Sequence, residues 1–272
     1  MLQFIAAEVR IYYYITKFDI LKQITKPATM ANLKQALIDS GEDWSPAWDK
    51  VNDLTPEYLA AYIKLRQVPI NKQKLPRKIQ ELLLLAMDAQ CTHLHTPGVA
   101  AHTSAALKAG ATVGEIIETL ELSSVLGVHA VTVGVPLLVE VMAERGTKLE
   151  QDLDEKRQKL KANFQRQRGY WSNSWEPVIR LSPDFFEAYT NYSSVPFQEG
   201  HSHLDAKTKE LVFCAIDCAT THLFAPGLKI HIRNALEKGA TPEEVMEVFE
   251  LAALMGSQTV LAGAEALKHA QA

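Results

Sequence analysis

The chain has 272 residues, of which 47% are hydrophobic and 22% charged, and a formal net charge of -4 at neutral pH. That length suits one large domain or two ordinary ones, the balance is that of a soluble globular protein, and the acidic sign argues against a nucleic-acid partner. Cys91, Cys214 and Cys218 are odd in number and lack framework spacing, which predicts a reducing, cytoplasmic setting with small buried thiols rather than a disulfide scaffold.

Residues 1–29 mix Ile and Tyr with Glu8, Arg10, Lys17 and Asp19. No apolar run there nears the ~18 residues that span a bilayer, and no uninterrupted apolar middle marks a secretory signal. No membrane partner is expected. The stretch has no counterpart later in the chain, so residues 1–43 are expected to form an N-terminal extension. Its first 29 residues are expected to be dispensable or to precede a start at Met30.

From Trp44 the chain repeats itself. Trp44 and Trp48 return as Trp171 and Trp175, and TPEYLAAY (55–62) returns as SPDFFEAY (182–189), an offset of 127. Both Trp pairs are expected to pack short lead-in helices. Thr55 and Ser182 are expected N-caps, Pro56 and Pro183 suit the first helical position, and Glu57 and Asp184 suit the positive helix end. Two extra residues between Pro196 and Leu204 then shift the offset to 129, where ELLLLAMDAQCTHLHTPGVAAHTSAALKAGAT (81–112) faces ELVFCAIDCATTHLFAPGLKIHIRNALEKGAT (210–241). Residues 75–91 are predicted to form a helix buried nearly all round. Pro97 and Pro226 mark its end and open the next helix, with Thr96 as cap. Gly110 and Gly239 fit a left-handed helix end, and Thr112 with Glu115 and Thr241 with Glu244 read as capping boxes.

Apolar helices continue to Gly127 and Gly256 and beyond, and no segment alternates like a strand. The fold class is therefore all-α with a tandem duplication. Residues 44–142 are the first unit, 143–170 a charged linker read as an exposed helix, and 171–272 the second unit.

The polar positions kept between the copies inside apolar sequence are Glu81/Glu210, Asp88/Asp217, Thr92/Thr221, His93/His222 and His102/His231. Glu81 and Asp88 are two turns apart and share a helix face with Thr92. Buried carboxylates are costly unless paired or hydrogen-bonded. Glu81/Glu210 is either an acid/base with a burial-raised pKa or a carboxylate that only holds a neighbouring helix or imidazole. Asp88/Asp217 is expected to orient a histidine or cap a backbone end, with Thr92/Thr221 in support. His93/His222 and His102/His231 are expected near the glutamate, as oxyanion donors or proton shuttles.

A metal held by Glu81, His93 and His102, and by Glu210, His222 and His231, is the alternative, since imidazole and carboxylate suit transition metals. The spacing matches no established metal signature, and glycine phosphate loops, G-x-S-x-G, H-E-x-x-H and C-x-x-C are absent from the sequence. No cofactor or resident metal is expected. His95 and His129 face Phe224 and Gln258 and are not duplicated, while His201, His203 and His269 are expected in solvent.

The pattern E-x11-H, followed by H-x3-AL-x2-GAT-x2-E, resembles the carboxymuconolactone decarboxylase family, which shares its fold with alkylhydroperoxidase D. The resemblance covers most of 44–142 and 171–270 and implies a tandem pair of alkylhydroperoxidase D-like helical units. In the peroxidase branch two cysteines follow the glutamate. Here His93/His222 and Thr96/Ala225 stand in their places, which disfavours a thiol peroxidase. The decarboxylase branch implies a cofactor-independent decarboxylase or isomerase-type lyase acting on a small carboxylated lactone or enolisable acid. Glu81/Glu210 would be the acid/base, and the histidines oxyanion donors or shuttles. Single-unit relatives imply self-association, a trimer first and a dimer second. A metal-dependent enzyme and a non-catalytic ligand-binding or scaffold protein are the alternatives.

Overall fold

Every regular element among the described residues is helical, as the apolar periodicity requires. The computed structural model describes residues 30–149 and 152–270, without the side chains at 30, 31, 268 and 269. The expectations for residues 1–29 and for His269 lie outside that range. In chain order the helices are α1 (Met30–Asp39), α2 (Pro46–Leu54), α3 (Pro56–Lys72), α4 (Arg77–Ala89), α5 (Thr96–Lys108), α6 (Val113–Ser124) and α7 (His129–Glu144). The second half gives α8 (Glu155–Arg168), α9 (Trp175–Leu181), α10 (Pro183–Ser193), α11 (Ala206–Cys218), α12 (Ala225–Glu237), α13 (Pro242–Ala253) and α14 (Ser257–Ala270).

The helix ends follow the local chemistry. Thr112 and Thr241 form complete capping boxes with Glu115 and Glu244. Gly110 and Gly239 both stand at φ +89°, where a side chain would be strained. Two expected caps differ. Ser182 makes no side-chain capping bond, and His95, not Thr96, takes the N-cap position of α5.

Two compact units are present. One runs up to Lys64 and resumes at Gly263; the other is Leu65–Ala262. In the first, Trp48 is buried and stacks on Tyr62 at 5.1 Å. Glu42 joins them, accepting from Trp48 Nε1 at 2.9 Å and from the Tyr62 hydroxyl at 2.7 Å. This satisfies both polar tips of an otherwise apolar stack.

In the second unit the helices of both sequence copies interleave. The central helices α4 and α11 are buried on all sides from Gln80 to Asp88 and from Thr208 to Asp217. They pack on each other, α6 packs on α11, and α13 packs on α4. The last two of these contacts each carry a buried carboxylate. Glu247 of α13 accepts from Gln80 Nε2 at 2.8 Å and from the backbone N–H groups of Lys74 and Leu75 at 3.0 and 3.2 Å. Glu118 of α6 meets Lys209 Nζ at 2.7 Å and accepts from the N–H groups of His203 and Leu204 at 2.6 Å each. Gln80 and Lys209 are equivalent positions, as are Glu118 and Glu247, so one lock is built twice with exchanged partners. Such carboxylates are tolerated inside because each has at least three donors.

The linker is not simply exposed. α8 buries Leu160 and Phe164, and Phe164 stands at the centre of Trp175, Phe186, Trp171 and Tyr170. α7, in contrast, buries no residue and presents Val133, Leu137, Leu138 and Val141. The stretches Val113–Glu144 and Pro242–Leu267 are long and apolar enough to cross a membrane by length and composition alone. Glu118 and Glu247 inside them are buried in the cross-copy locks just described, so α6 and α13 are core helices, whereas His129–Glu144 buries no residue.

Candidate active site

The sites grow from the corner after each central helix. Leu94 and Leu223 adopt left-handed φ values of +48° and +51°. Non-glycine residues do so at a cost of about 1–2 kcal/mol. The turn is closed by His95 N–H donating to Asp88 O at 2.9 Å, and by Phe224 N–H donating to Asp217 O at 2.8 Å. The chain then doubles back so tightly that α5 and α12 start against the aspartates. A Cβ added at Gly98 would meet Asp88 Oδ2 at 1.8 Å, and one at Gly227 would meet Asp217 Oδ2 at 2.3 Å. The repeated Pro-Gly is thereby explained: proline opens the helix and glycine admits the carboxylate.

The doubling back brings His102 Nδ1 to 2.7 Å from Glu81 Oε2, and His231 Nδ1 to 2.8 Å from Glu210 Oε2. These are the pairs expected from the sequence. Arg77 also pairs with Glu81. Lys238 Nζ and Asn234 Nδ2 reach Glu210 at 3.0 and 3.3 Å. The expectation of a burial-raised glutamate is reversed at Glu210. Burial pushes its carboxyl up, but the hydrogen bonds and charges of His231 and Lys238 outweigh it and hold the group below its ordinary value. Glu210 is an ionised orienting group for His231.

His93 and His222 do not join the glutamates; they stand beside the aspartates and meet the other copy. His93 Nε2 donates to Gln258 Oε1 at 2.5 Å, and Gln258 Nε2 donates to Asp88 Oδ1 at 2.7 Å. Asp88 also has His93 Nε2 and His102 Nε2 at 3.6 Å and His95 Nδ1 at 3.7 Å. In the second site His222 Nε2 lies 2.7 Å from His129 Nδ1, the two rings nearly parallel at 4°. His129 Nδ1 is 3.9 Å from Asp217 Oδ1, and its ring stacks on Phe224 at 3.9 Å. Each site therefore takes one residue from the other copy: Gln258 from α14 completes the first, and His129 from α7 the second. Thr92 and Thr221 are exposed; Thr221 Oγ1 accepts from Gln90 Nε2 at 2.9 Å and takes no part in either site.

His129 and Gln258 are the residues that sequence reasoning misses. They are equivalent positions, polar in both copies within apolar sequence, but different in kind. A search for identity between the copies passes over them, whereas a search for shared polarity would find them.

Electrostatics separates the members of the second site. Burial pushes Asp217 up to about 8, so at neutral pH it carries a proton. Burial, with His222 and His231 nearby, pushes His129 down to about 4. Burial also lowers His222. Asp217, His129 and His231 line a cavity of about 220 Å³ together with Arg168, Tyr170 and Tyr189 and apolar walls that include Phe213 and Phe224. That volume is below the span usual for drug-sized ligands and suits a small molecule.

Glu81, His93 and His102 do not form a ligand trio, and neither do Glu210, His222 and His231, because His93 and His222 stand beside the aspartates while the glutamates pair with His102 and His231. Among the described residues, the groups with donor atoms within 4.8 Å of one another are Asp88, His93 and His95, and His129, Asp217 and His222. The expectation of buried thiols holds for Cys214 but not for Cys91, which is exposed; burial raises Cys218 to about 12 and Cys214 further still, which disfavours a thiolate at either.

The profile described as the carboxymuconolactone decarboxylase family matches residues 56–143 and again 183–269. A crystal structure from Burkholderia xenovorans LB400, carrying the provisional name gamma-carboxymuconolactone decarboxylase subunit, superimposes with a TM-score of 0.86. The two sequences are 45% identical, over 90% of this chain and 98% of that one. Comparison with curated proteins gives no match.

Proposed function

Since this chain belongs to the carboxymuconolactone decarboxylase family, we propose that its second-copy cavity carries out cofactor-independent decarboxylation, or the related double-bond shift, on a small carboxylated lactone or enolisable acid. The observation that carries this reading is one small cavity lined by a protonated carboxyl (Asp217), a carboxylate-oriented imidazole (His231 on Glu210) and an uncharged imidazole (His129).

The reaction sets two demands. As the C–C bond to the carboxylate breaks, its electron pair moves into the conjugated carbonyl, leaving CO2 and a dienolate. The enolate oxygen must be held, and a proton must be placed on carbon. With His222 Nε2–H donating to His129 Nδ1, neutral His129 carries its proton on Nε2 and offers it to the oxygen. Asp217 holds a proton at neutral pH and gives it to carbon. His231, with its Nδ1–H on Glu210, leaves Nε2 to return a proton from solvent to Asp217. Apolar walls exclude competing water and strengthen each of these interactions.

The test is a screen of unsaturated lactone acids for CO2 release and double-bond migration. Turnover is expected, and His231→Gln is expected to lower kcat by about 100-fold or more, the usual scale of a lost proton-transfer group. If no acid of this class is turned over by folded protein, the reading falls. Metal-assisted chemistry at His129, Asp217 and His222 is a second reading, favoured by their mutual approach and by Asp217 Oδ2 being buried without a hydrogen-bond partner. Activity that is lost on chelation and restored by a divalent metal would replace the first reading with this one.

A further inference from the structure

Arg168 ends α8, between the two family-matched segments, and it lines the second-copy cavity. Its Nη1 donates to Ser193 O at 3.0 Å, and the guanidinium also bonds the Tyr189 side chain. Its Cζ lies 4.7, 5.7 and 5.9 Å from the ring centres of Phe197, Phe213 and Tyr170. These contacts fix the orientation of the fork but leave Nε–H buried without a hydrogen-bond partner. A fixed guanidinium with an unused donor beside a small cavity is pre-organised for a carboxylate.

The neighbours facing the same space do not supply the anion. Among the described lining residues Asp217 carries the one carboxyl, which lies beside His129 at 3.9 Å and makes no ion pair with Arg168. His231 already bonds its own carboxylate, Glu210. The cavity therefore has a permanent positive charge in its wall that pairs with no side-chain carboxyl among the described lining residues.

We infer that Arg168 anchors a carboxylate of the ligand in the second-copy cavity. The anchored group is one that the ligand keeps. A guanidinium on the departing carboxylate would stabilise the ground state and oppose loss of neutral CO2. Arg168 is thus a binding and specificity residue, set apart from the proton-transfer groups. It also distinguishes the copies. Carrying the 127-residue offset back past Trp171 and Trp44 puts Gly41 opposite Arg168, while matching the left-handed glycines Gly169 and Gly41 puts Ser40 there. Neither is a cation, so the first copy has no counterpart of Arg168 at that position.

The inference uses the lactone-acid reading for the ligand's class, and binding can be measured without turnover. The probe is a saturated γ-butyrolactone carboxylate with its methyl ester as control, titrated by calorimetry into the full chain. Wild type is expected to bind one acid per chain and to discriminate against the ester. Arg168→Gln should weaken the acid by about tenfold to a hundredfold and erase the acid–ester difference, with Arg168→Lys between the two. Where a substrate is in hand, Arg168→Gln should raise KM far more than it lowers kcat. Thermal melting checks folding; if Arg168→Gln does not fold, Arg168→Lys and the wild-type acid–ester comparison decide.

Equal binding of acid and ester, or acid binding that a folded Arg168→Gln leaves unchanged, overturns the anchor. Two acids per chain overturns its restriction to the second copy. Arg168-dependent binding without turnover of any lactone acid keeps the anchor and removes the catalytic reading. Turnover with KM indifferent to Arg168 does the reverse.

Discussion

Asp217 and His129 approach to 3.9 Å with their proton affinities displaced in opposite senses. Asp217 moves from 3.8 to about 8, so the folded chain keeps a proton that the unfolded chain releases. Its contribution to stability is complete below about pH 4 and is lost as pH rises through about 8. His129 moves from 6.5 to about 4, so the unfolded chain takes up a proton first. Its contribution is present above pH 6.5 and is lost as pH falls through about 4. Denaturant titrations from pH 5 to 9 should show wild-type stability falling toward the alkaline end, and Asp217→Asn should remove that fall. The kcat profile should drop above about pH 8 as the proton donor ionises; a profile still rising at pH 9 would take the donor's role away from Asp217. The sequence made the Glu81–His102 and Glu210–His231 pairs legible, because duplication marked the residues and helix spacing brought them together. It hid His129 and Gln258, because each serves the other copy's site and the two differ chemically.

The paired locks make unequal predictions for single helices. Glu118 is 1% exposed and Lys209 is the cation beside it. Lys209→Met removes the cation from Glu118, which keeps the N–H groups of His203 and Leu204, and should cost about 3–5 kcal/mol as a broken buried ion pair. Gln80→Leu removes a neutral donor from Glu247, which keeps two backbone N–H groups, and should cost about 1–3 kcal/mol. Urea unfolding measures both, and a Lys209→Met loss no larger than that of Gln80→Leu would mean the charge pairing contributes little. Helix limits were readable where one side chain sets them, as at Thr112, Thr241, Gly110 and Gly239. α8 was misread because its many charges mask Leu160 and Phe164, four residues apart and therefore on one face. A narrow apolar stripe buries a helix even when the rest of its surface is ionic.

Within Leu65–Ala262 the two copies interlock in one compact unit. Duplication was evident from the constant offset, but a sequence repeat does not reveal whether its copies stand side by side or interlock. That is decided by the contacts of α4 with α13 and of α11 with α6, which join residues far apart in the chain. A break between α7 and α8 should therefore leave two fragments that purify together when co-expressed. Either fragment alone should lose helicity or self-associate, since Glu118 or Glu247 would lose its donors. A folded monomeric fragment, by light scattering and circular dichroism, would show that the locks are not needed. The exchange of His129 and Gln258 also bears on inheritance. In a twofold assembly of identical chains every substitution lands in both sites at once, so neither can change alone. With both copies encoded in one chain, a single codon alters one site and spares its twin. Gln258 bonding His93 in one, and His129 stacked on Phe224 in the other, show two sites already on separate histories.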